Sequence, residues 1–335
     1  MAKAAIIGTT TWGTTLGVIL AGKGTQVKLW ARTGEEAREL NRARQNTVFL
    51  PTVTFPQRLS ATNSVGGALR GASLVILAVP AQTMRKNVRL VADCLEPSML
   101  ILSAAKGLEV DTCQRMSQVI ADEIAPGLHA NICVLSGPNL AKEVVQGLPA
   151  VTVVAAKDPA VAERARRLLS APNFSLLTTT DVPGVELGGG LKNIIALGAG
   201  MADGLGYGDN AKAAFMARGL AEIAALGVAC GATPDTFFGL AGMGDLVVTC
   251  ASHLSRNHYV GVELAKGTPL SEITASMRSV AEGVLTTAAA RKMARSLGVK
   301  MPITEQIYRV LYEGLDPRQA VAELMVHLEG WDIRP

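Results

Sequence analysis

The first half of the chain alternates short apolar runs with segments whose apolar residues recur at helical spacing. Short β-branched runs separated by such helices are typical of a parallel sheet with right-handed crossovers. We therefore predict an N-terminal α/β domain built on a Rossmann-like, doubly wound parallel sheet. The apolar runs lie at residues 4–7, 26–30, 73–79, 99–102, 131–135 and 150–155.

The pattern changes near residue 180. Strand signals stop after Asp181, and helical patterns interrupted by Gly and Pro continue towards the end of the chain, for example at 211–226, 285–297 and 306–312. No low-complexity linker marks the change. The pattern predicts two domains, an α/β domain at residues 1–183 and an all-helical domain at residues 184–335.

A glycine-rich helical segment follows this change. Eight of the residues from Gly188 to Ala202 are Gly or Ala, and bulkier apolar residues lie between them. Each Gly inside a helix costs about 0.5–1 kcal/mol relative to Ala. The run of small residues indicates that another backbone, or a ligand, approaches this helix closely.

Lys192 and Asn193 lie side by side on this small, apolar segment. One interpretation is a lysine whose ammonium reaches out to solvent along its aliphatic stem. The neighbours offer little polar surface, however, and an ammonium partly removed from water has a lowered pKa and exchanges protons near neutral pH. Lys192 is therefore a candidate acid–base group.

Composition narrows the functional classes. The 335 residues are 49% hydrophobic and 18% charged, which is typical of a soluble protein with ample core for two domains. Aromatic residues make up 4%, and the net charge of +4 comes from dispersed Lys and Arg. This favours a small anionic ligand over a nucleic acid. The apolar run at 74–79 is too short to cross a bilayer, so we expect no membrane partner.

The cysteines and histidines bear on location and metal content. Five cysteines, an odd number without a C-x-x-C pair, predict reduced thiols and a cytoplasmic location. The pattern before the first strand is not that of a signal peptide. The four histidines show no metal-ligand spacing with the cysteines, so we expect no metal site.

The first strand is followed by a turn that resembles the dinucleotide-binding motif G-x-G-x-x-G. Gly8 and Gly13 occupy its outer positions, and Thr10 replaces the middle glycine, which normally lets the backbone approach a pyrophosphate. The following helix still offers free N–H groups and a favourable dipole to a phosphate, so we expect binding with altered geometry. An ordinary turn with N-capping threonines is the alternative.

The second strand does not end in the acidic residue that grips the ribose of NAD in many such folds. It ends in Trp30-Ala31-Arg32-Thr33. Arg32 could stack on adenine or pair with the 2′-phosphate of NADP, and an exposed arginine at a strand end is the alternative. Both NAD and NADP are therefore candidate cofactors.

Several polar groups could bind an anionic substrate. Ser255-Arg256-Asn257 combines a hydroxyl, a planar guanidinium and an amide, which suits a terminal phosphate, although a helix-capping serine explains part of this triplet equally well. A glycine-rich bend delivers Asp245 shortly before it. Lys106 and Gly137 each follow a predicted strand, at the sheet edge where α/β folds bind ligands.

Taken together, these residues resemble the bacterial type of NAD(P)-dependent glycerol-3-phosphate dehydrogenase over essentially the whole chain. The order and spacing of the motifs carry the resemblance. The most specific segments are Leu191-Lys192-Asn193, Gly206-Tyr207-Gly208-Asp209-Asn210 with Lys212, Gly239–Asp245 with Thr249-Cys250, Ser255-Arg256-Asn257, Glu282-Gly283 and Met301-Pro302-Ile303.

The resemblance implies a role for each matching position. Lys192 would be the general acid or base at the reacting oxygen, assisted by Lys106. Substrate-binding positions would be Lys106, Gly137, Asn139, Lys192, Asp245, Ser255, Arg256 and Asn257. Cofactor-binding positions would be Gly8, Thr11, Trp12, Gly13, Arg32, Lys106, Ala141, Arg256, Val280 and Glu282.

The resemblance further implies a fold like that of 6-phosphogluconate dehydrogenase and a reaction between NAD(P)H and dihydroxyacetone phosphate. The product, sn-glycerol 3-phosphate, is a precursor in phospholipid biosynthesis. Two other functions stay open at this point: another β-hydroxyacid or 6-phosphogluconate-like dehydrogenase, and a nucleotide or phospho-metabolite sensor without turnover. The apolar helical half is compatible with a homodimer.

Overall fold

The computed structural model describes residues 2–277 and 280–326. The chain forms two compact units. The first comprises Met1–Lys106 and Gln114–Glu186, and the second comprises Gly107–Cys113 and Leu187–Pro335. The division into domains at 183/184 stays a prediction. The sequence pattern did not indicate that Gly107–Cys113 belongs with the helical unit.

The first unit alternates strands and helices. Its helices are α1 Thr11–Gly22, α2 Gly34–Ala43, α3 Val65–Leu69, α4 Met84–Val91, α5 Met116–Glu123, α6 Ala141–Val145 and α7 Pro159–Leu169. Its strands are β1 Lys3–Ile7, β2 Gln26–Trp30, β3 Gln45–Asn46, β4 Leu50–Thr54, β5 Leu59–Thr62, β6 Leu74–Leu77, β7 Leu100–Ser103, β8 Ile132–Ser136, β9 Ala150–Ala156 and β10 Phe174–Thr179.

Eight of these strands form one sheet in the order β10-β9-β8-β7-β6-β1-β2-β5, and β3 pairs with β4 separately. The sheet is buried on both faces. Ile6 and Ile7, adjacent in β1 and both fully buried, belong to two different apolar clusters, because successive side chains of a strand point to opposite faces. The predicted doubly wound α/β architecture is confirmed.

Two strands, β9 and β10, run opposite to the other six and so depart from the predicted parallel arrangement. β9 pairs antiparallel with β8, with Val134 opposite Ala155, whereas the other pairs of this sheet are parallel. The connection from β8 to β9 contains only the five-residue helix α6. That helix is about 7.5 Å long, whereas the seven residues of β9 span about 23 Å. The connection is therefore too short to carry the chain back to the edge of the sheet at which β8 begins, so β9 starts at the opposite edge and runs antiparallel to β8.

From Leu187 onwards the regular elements of the second unit are helices in the described residues, as predicted, whereas the segment Gly107–Cys113 is not helical. The core of the unit includes Leu108, and the Lys292 ammonium donates a hydrogen bond of 2.8 Å to the Asp111 carbonyl, so the segment 107–113 packs within this unit. The helices are α8 Val182–Gly204, which begins in the first unit, α9 Asp209–Ala229, α10 Pro234–Phe238, α11 Asp245–Ala251, α12 Arg256–Ala265, α13 Leu270–Ser276, α14 Glu282–Leu297, α15 Pro302–Tyr312 and α16 Pro317–Val326. Among the described helices, none combines the length and apolar character needed to cross a membrane.

The small residues of α8 allow other backbones to approach closely, as the sequence predicts. A Cβ atom on Gly200 would lie 2.1 Å from the carbonyl oxygen of His258 in α12. A Cβ atom on Gly188 would lie 2.6 Å from the carbonyl oxygen of Ala241, in the π-helical turn that precedes α11. These contacts bring α11 and α12 against α8, where Lys192 lies.

Candidate active site

Lys192 lies in the interior of the helical unit and is only 5% exposed. Its ammonium donates hydrogen bonds to the Asp245 carboxylate and, over 2.5 Å, to the Thr249 hydroxyl. Asp245 is fully buried. The interpretation of Lys192 as a lysine that reaches solvent is therefore wrong.

The sequence of α11 explains how this cluster forms. The π-helical turn Leu240–Gly244 ends at Asp245, the first residue of α11. Thr249 lies four residues later, which places it on the same face of the helix. Its hydroxyl also bonds to the Asp245 backbone carbonyl at 2.7 Å. One helical turn thus presents a carboxylate and a hydroxyl to the same lysine.

Burying this ion pair is expensive. Removing a charged group from water costs several kcal/mol per ion, and an apolar pair of similar volume is often as stable or more so. Leu191, Ile194 and Ile195, which lie next to this lysine on α8, are fully buried apolar residues. A buried charge pair in such surroundings indicates a functional site more than a structural one.

A second polar network begins at the neighbouring residue Asn193. The Asn257 amide donates to the Asn193 side-chain oxygen at 2.9 Å, and the Gly283 N–H donates to the Asn257 oxygen at 2.9 Å. Both asparagines are buried. The network therefore fixes α8, the start of α12 and the start of α14 relative to one another.

The triplet before and within α12 divides into two kinds of residue. Ser255 is the N-cap of α12, and its hydroxyl accepts a bond from the His258 N–H at 3.2 Å, so the capping alternative is confirmed. Arg256, by contrast, is exposed between the buried residues Ser255 and Asn257. Although the residue keeps exposed surface, burial around its guanidinium lowers the pKa of Arg256, and the Glu282 carboxylate acts in the opposite direction.

The Tyr207–Lys212 segment supports α12 from another side. Lys212 donates a hydrogen bond of 3.0 Å to Asp203, and the other oxygen of Asp203 lies 2.7 Å from Nε2 of His258. Burial alone would raise the pKa of Asp203, but the hydrogen bonds from His258 and Lys212 hold that pKa below its usual value. A carboxylate between two donors thus anchors the residue that follows Asn257.

In the first unit, Lys106 and Asn139 lie at the ends of neighbouring strands β7 and β8. The Lys106 ammonium donates to the Gly137 carbonyl at 2.8 Å, and the Asn139 amide donates to the Thr152 hydroxyl at 2.9 Å. Within the described residues, the side-chain oxygen of Asn139 is buried without a hydrogen-bond partner. Such an atom normally finds a partner in water or in a ligand.

The turn after β1 has the backbone geometry that the two outer glycines of a dinucleotide-binding motif provide. Gly8 has φ +114°, and a Cβ on Gly13 would lie 2.4 Å from the Gly8 carbonyl oxygen, so both outer positions require glycine. Thr10 has φ −62° and ψ 168°, which any residue adopts. Its hydroxyl accepts from the Gly13 N–H at 3.1 Å and donates to the Ala78 carbonyl at 2.9 Å.

The threonine at the middle position is therefore the N-cap of α1, and its side chain is held against the sheet. The N–H groups of Thr11 and Trp12, next in the first turn, form no hydrogen bond with any described residue. They are free to bind a phosphate at the positive end of the helix dipole. These two N–H groups support the prediction that the turn binds a dinucleotide phosphate with altered geometry.

The remaining predicted cofactor positions belong to both units. Trp12 packs edge-on against Phe174, with ring centroids 6.2 Å apart. Arg32 is exposed just after β2, and Ala141 is the first residue of α6. In the second unit, Val280 is 43% exposed and Glu282 is the first residue of α14.

Comparison with known proteins identifies the family. Residues 3–162 match the family described as "NAD-dependent glycerol-3-phosphate dehydrogenase N-terminus", and residues 181–322 match the one described as "NAD-dependent glycerol-3-phosphate dehydrogenase C-terminus". The chain belongs to the NAD-dependent glycerol-3-phosphate dehydrogenase family.

Relatives of this dehydrogenase match it from end to end. A glycerol-3-phosphate dehydrogenase (NAD(P)+) from Dehalococcoides mccartyi is 59% identical over 97% of this chain and 91% of its own. One from Geobacter sulfurreducens is 48% identical over 96% of each chain. A crystal structure of glycerol-3-phosphate dehydrogenase from Coxiella burnetii has a TM-score of 0.91 and 33% identity, and covers 97% of this chain and 98% of that chain.

These matches confirm the predicted family, the fold, and the prediction of an NAD(P)-dependent oxidoreductase. They favour the glycerol-3-phosphate reaction over the other two functions that the sequence left open. No group of three or more potential metal ligands is found in the described part of the dehydrogenase.

The sequence missed some partners of the predicted site residues in the dehydrogenase. Thr249 was part of a recognised motif without a predicted role, yet it binds Lys192 directly. Its spacing of four residues from Asp245 was the available signal. The Asn193–Asn257 bond joins residues 64 positions apart, so no local sequence pattern could predict it.

Proposed function

We propose that this dehydrogenase transfers a hydride between NAD(P)H and C2 of dihydroxyacetone phosphate, giving sn-glycerol 3-phosphate, with Lys192 as proton donor and acceptor. Family membership supports the reaction. The assignment of the proton donor depends on one observation, the buried cluster of Lys192, Asp245 and Thr249.

The bound nicotinamide supplies the hydride in the direction of reduction. Negative charge then grows on the substrate carbonyl oxygen, and a positioned proton donor accelerates such a step by about 10²–10⁴-fold. Lys192 carries the proton, and its two protein partners hold the nitrogen of its side chain in one place. Because the amine is already fixed before the reaction, little reorganisation is needed when charge develops.

The phosphate of the substrate is assigned to the start of α12. Arg256 offers a planar guanidinium there, and the Ser255 hydroxyl and Asn257 amide lie beside it in the sequence. The Asn193–Asn257 bond holds this end of α12 against α8. Binding energy from the phosphate would thereby orient the carbonyl with respect to Lys192.

The turn at Gly8–Gly13 is assigned to the cofactor pyrophosphate. The free N–H groups of Thr11 and Trp12 are the proposed donors, and Arg32 the proposed contact to the adenosine. The family resemblance supports further roles for residues of both units. These are substrate contacts by Gly137 and Asn139, cofactor contacts by Ala141, Val280 and Glu282, and contacts to both ligands by Lys106.

The reaction is tested by adding dihydroxyacetone phosphate to the purified protein with NADH, and separately with NADPH, and following the loss of reduced cofactor. We expect turnover with at least one cofactor, and formation of sn-glycerol 3-phosphate. β-Keto acids without a phosphate are the control substrates. Turnover of those acids, but not of dihydroxyacetone phosphate, would contradict the proposal.

A homodimer and a cytoplasmic location are also proposed, from the composition of the chain. The large apolar fraction of the helical half supports a dimer, and the odd number of cysteines without a C-x-x-C pair supports a reducing compartment. Light scattering of the purified protein gives the oligomeric state directly.

A further inference from the structure

The Glu36 side chain connects the phosphate-binding turn to the end of β2. One of its carboxylate oxygens accepts a hydrogen bond from the Thr9 hydroxyl at 2.5 Å, and the other accepts from the Arg32 N–H at 3.0 Å. Thr9 is the second residue of the Gly8–Gly13 turn, and Arg32 lies two residues beyond β2. A single carboxylate thus lies between the two segments that follow β1 and β2.

This location is the one from which dinucleotide-binding folds recognise the adenosine ribose. In those folds an acidic residue at the end of the second strand accepts hydrogen bonds from the ribose hydroxyls. The residues from Trp30 to Thr33 include no acid. Glu36 comes instead from the first turn of α2, and its side chain folds back to the strand end.

We propose that Glu36 receives the 2′-hydroxyl of the adenosine ribose and makes NAD(H) the preferred cofactor over NADP(H). The inference deepens the proposed function and depends on it. Each carboxylate oxygen carries a second lone pair beyond the bond it already accepts, so both can accept from ribose hydroxyls. The 2′-phosphate of NADP would instead bring like charge against a carboxylate that two hydrogen bonds hold in place.

Two backbone donors beside Glu36 are already in use. The Arg32 N–H binds Glu36, and the Glu36 N–H donates to the Thr33 hydroxyl at 3.1 Å. The Arg32 guanidinium is exposed and forms no hydrogen bond or ion pair with the described residues. An exposed guanidinium is well suited to stack on adenine, which both cofactors share, so we propose that Arg32 does not distinguish NADH from NADPH.

A simpler account makes Glu36 a structural brace only. Thr33 and Glu36 have the T-x-x-E spacing of a capping box, in which the acid bonds back towards the helix start. A brace affects the binding of both cofactors alike, because it acts only on the shape of the loop. The ratio of NADH to NADPH affinity therefore separates the two accounts.

The test compares the wild type with Glu36→Gln, which keeps a hydrogen-bond acceptor and removes the charge. Dissociation constants for NADH and NADPH are measured by fluorescence titration, and kcat/KM for each cofactor with dihydroxyacetone phosphate. We expect the wild type to bind NADH at least about tenfold more tightly, and Glu36→Gln to reduce this preference about tenfold, which corresponds to about 1.4 kcal/mol. The matched control is Glu163→Gln, which removes one charge from an Arg-paired glutamate on α7, by the β9–β10 end of the sheet.

Three outcomes would overturn the inference: a wild type that binds NADPH as tightly as NADH, a Glu36→Gln variant in which both affinities change by the same factor, and no binding of either cofactor. A second variant, Arg32→Ala, guards against misfolding of Glu36→Gln. We expect it to weaken NADH and NADPH equally, and a selective loss of NADPH binding would also contradict the proposal. Tight NADH binding with the expected ratio, but no turnover of dihydroxyacetone phosphate, would contradict the proposed function and leave the Glu36 assignment standing.

Discussion

Asp245 and Glu222 are buried carboxylates of the helical unit, and their partners differ. Asp245 pairs with the ammonium of Lys192, whereas Glu222 accepts hydrogen bonds from neutral donors, the N–H groups of Ile303 and Thr304 and the hydroxyl of Thr304. Glu222 thereby caps the first turn of α15. Burial raises the pKa of Glu222 to about 7, although these hydrogen bonds oppose the change.

The raised pKa of Glu222 predicts a dependence of stability on pH. Its folded pKa lies above the usual value near 4.5 for the unfolded chain, so its contribution to stability is complete below about pH 4.5 and is lost as the pH rises to about 7. Relative to Glu222→Gln, which stays neutral, the wild type should lose at most about 3 kcal/mol of unfolding free energy over this range. Urea unfolding of both proteins at several pH values measures the difference. A constant difference between pH 4.5 and 7 would contradict the assignment.

The residue types of the proposed site were predictable from the sequence, and their partners only in part. Lys192 stood out because a charge in a run of small apolar residues is unusual, and Arg256 because of the donors beside it. The bond from Glu36 to Thr9 was not predictable, since it depends on how a helix and a turn from different crossovers meet. The capping role of Thr10 was open among alternatives, and the bond to Ala78 decides it.

At the scale of elements, α8 is the helix on which the site of the second unit is built. Its glycines are needed where other segments of the chain pack against it. At Gly200 the approach is especially close, because a Cβ there would lie 2.1 Å from a backbone oxygen. A backbone atom cannot relieve such a clash by changing rotamer, as a flexible side chain can. The spacing of α12 from α8, and hence the position of Asn257, depends on this contact.

Gly200→Ala should therefore destabilise the protein by about 1–3 kcal/mol or more, because overpacking forces backbone shifts. The matched control is Gly22→Ala at the end of α1, where a Cβ would have no atom within 4 Å. That change should leave stability equal to the wild type or raise it by about 0.4–1 kcal/mol. Thermal unfolding of the two variants checks the contrast, and equal melting temperatures would show that the close approach does not constrain α8.

At the scale of the whole molecule, the alternation of strands and helices was sufficient to predict the fold class. The periodicity identified β1, β2, β6 to β9 and the helical character of the second unit. It missed β5, which reads Leu-Ser-Ala-Thr, and the β3–β4 pair, because short polar strands resemble loops. It also missed β10. The direction of β9 and the place of Gly107–Cys113 were missed as well, since both are settled by tertiary packing rather than local pattern.

The central claim is that the buried amine of Lys192 exchanges the proton, and kcat of Lys192→Met with dihydroxyacetone phosphate tests it most directly. The control is Lys300→Met, a change of an exposed lysine in the same unit. A double variant, Lys192→Met with Asp245→Asn, also removes the buried carboxylate charge that Lys192→Met alone would leave without a partner. It provides the test if the single variant unfolds. We predict that kcat falls by about 10²–10⁴-fold in both Lys192 variants, with the affinity for NADH unchanged. A folded Lys192→Met protein with a kcat close to that of the wild type would contradict the account.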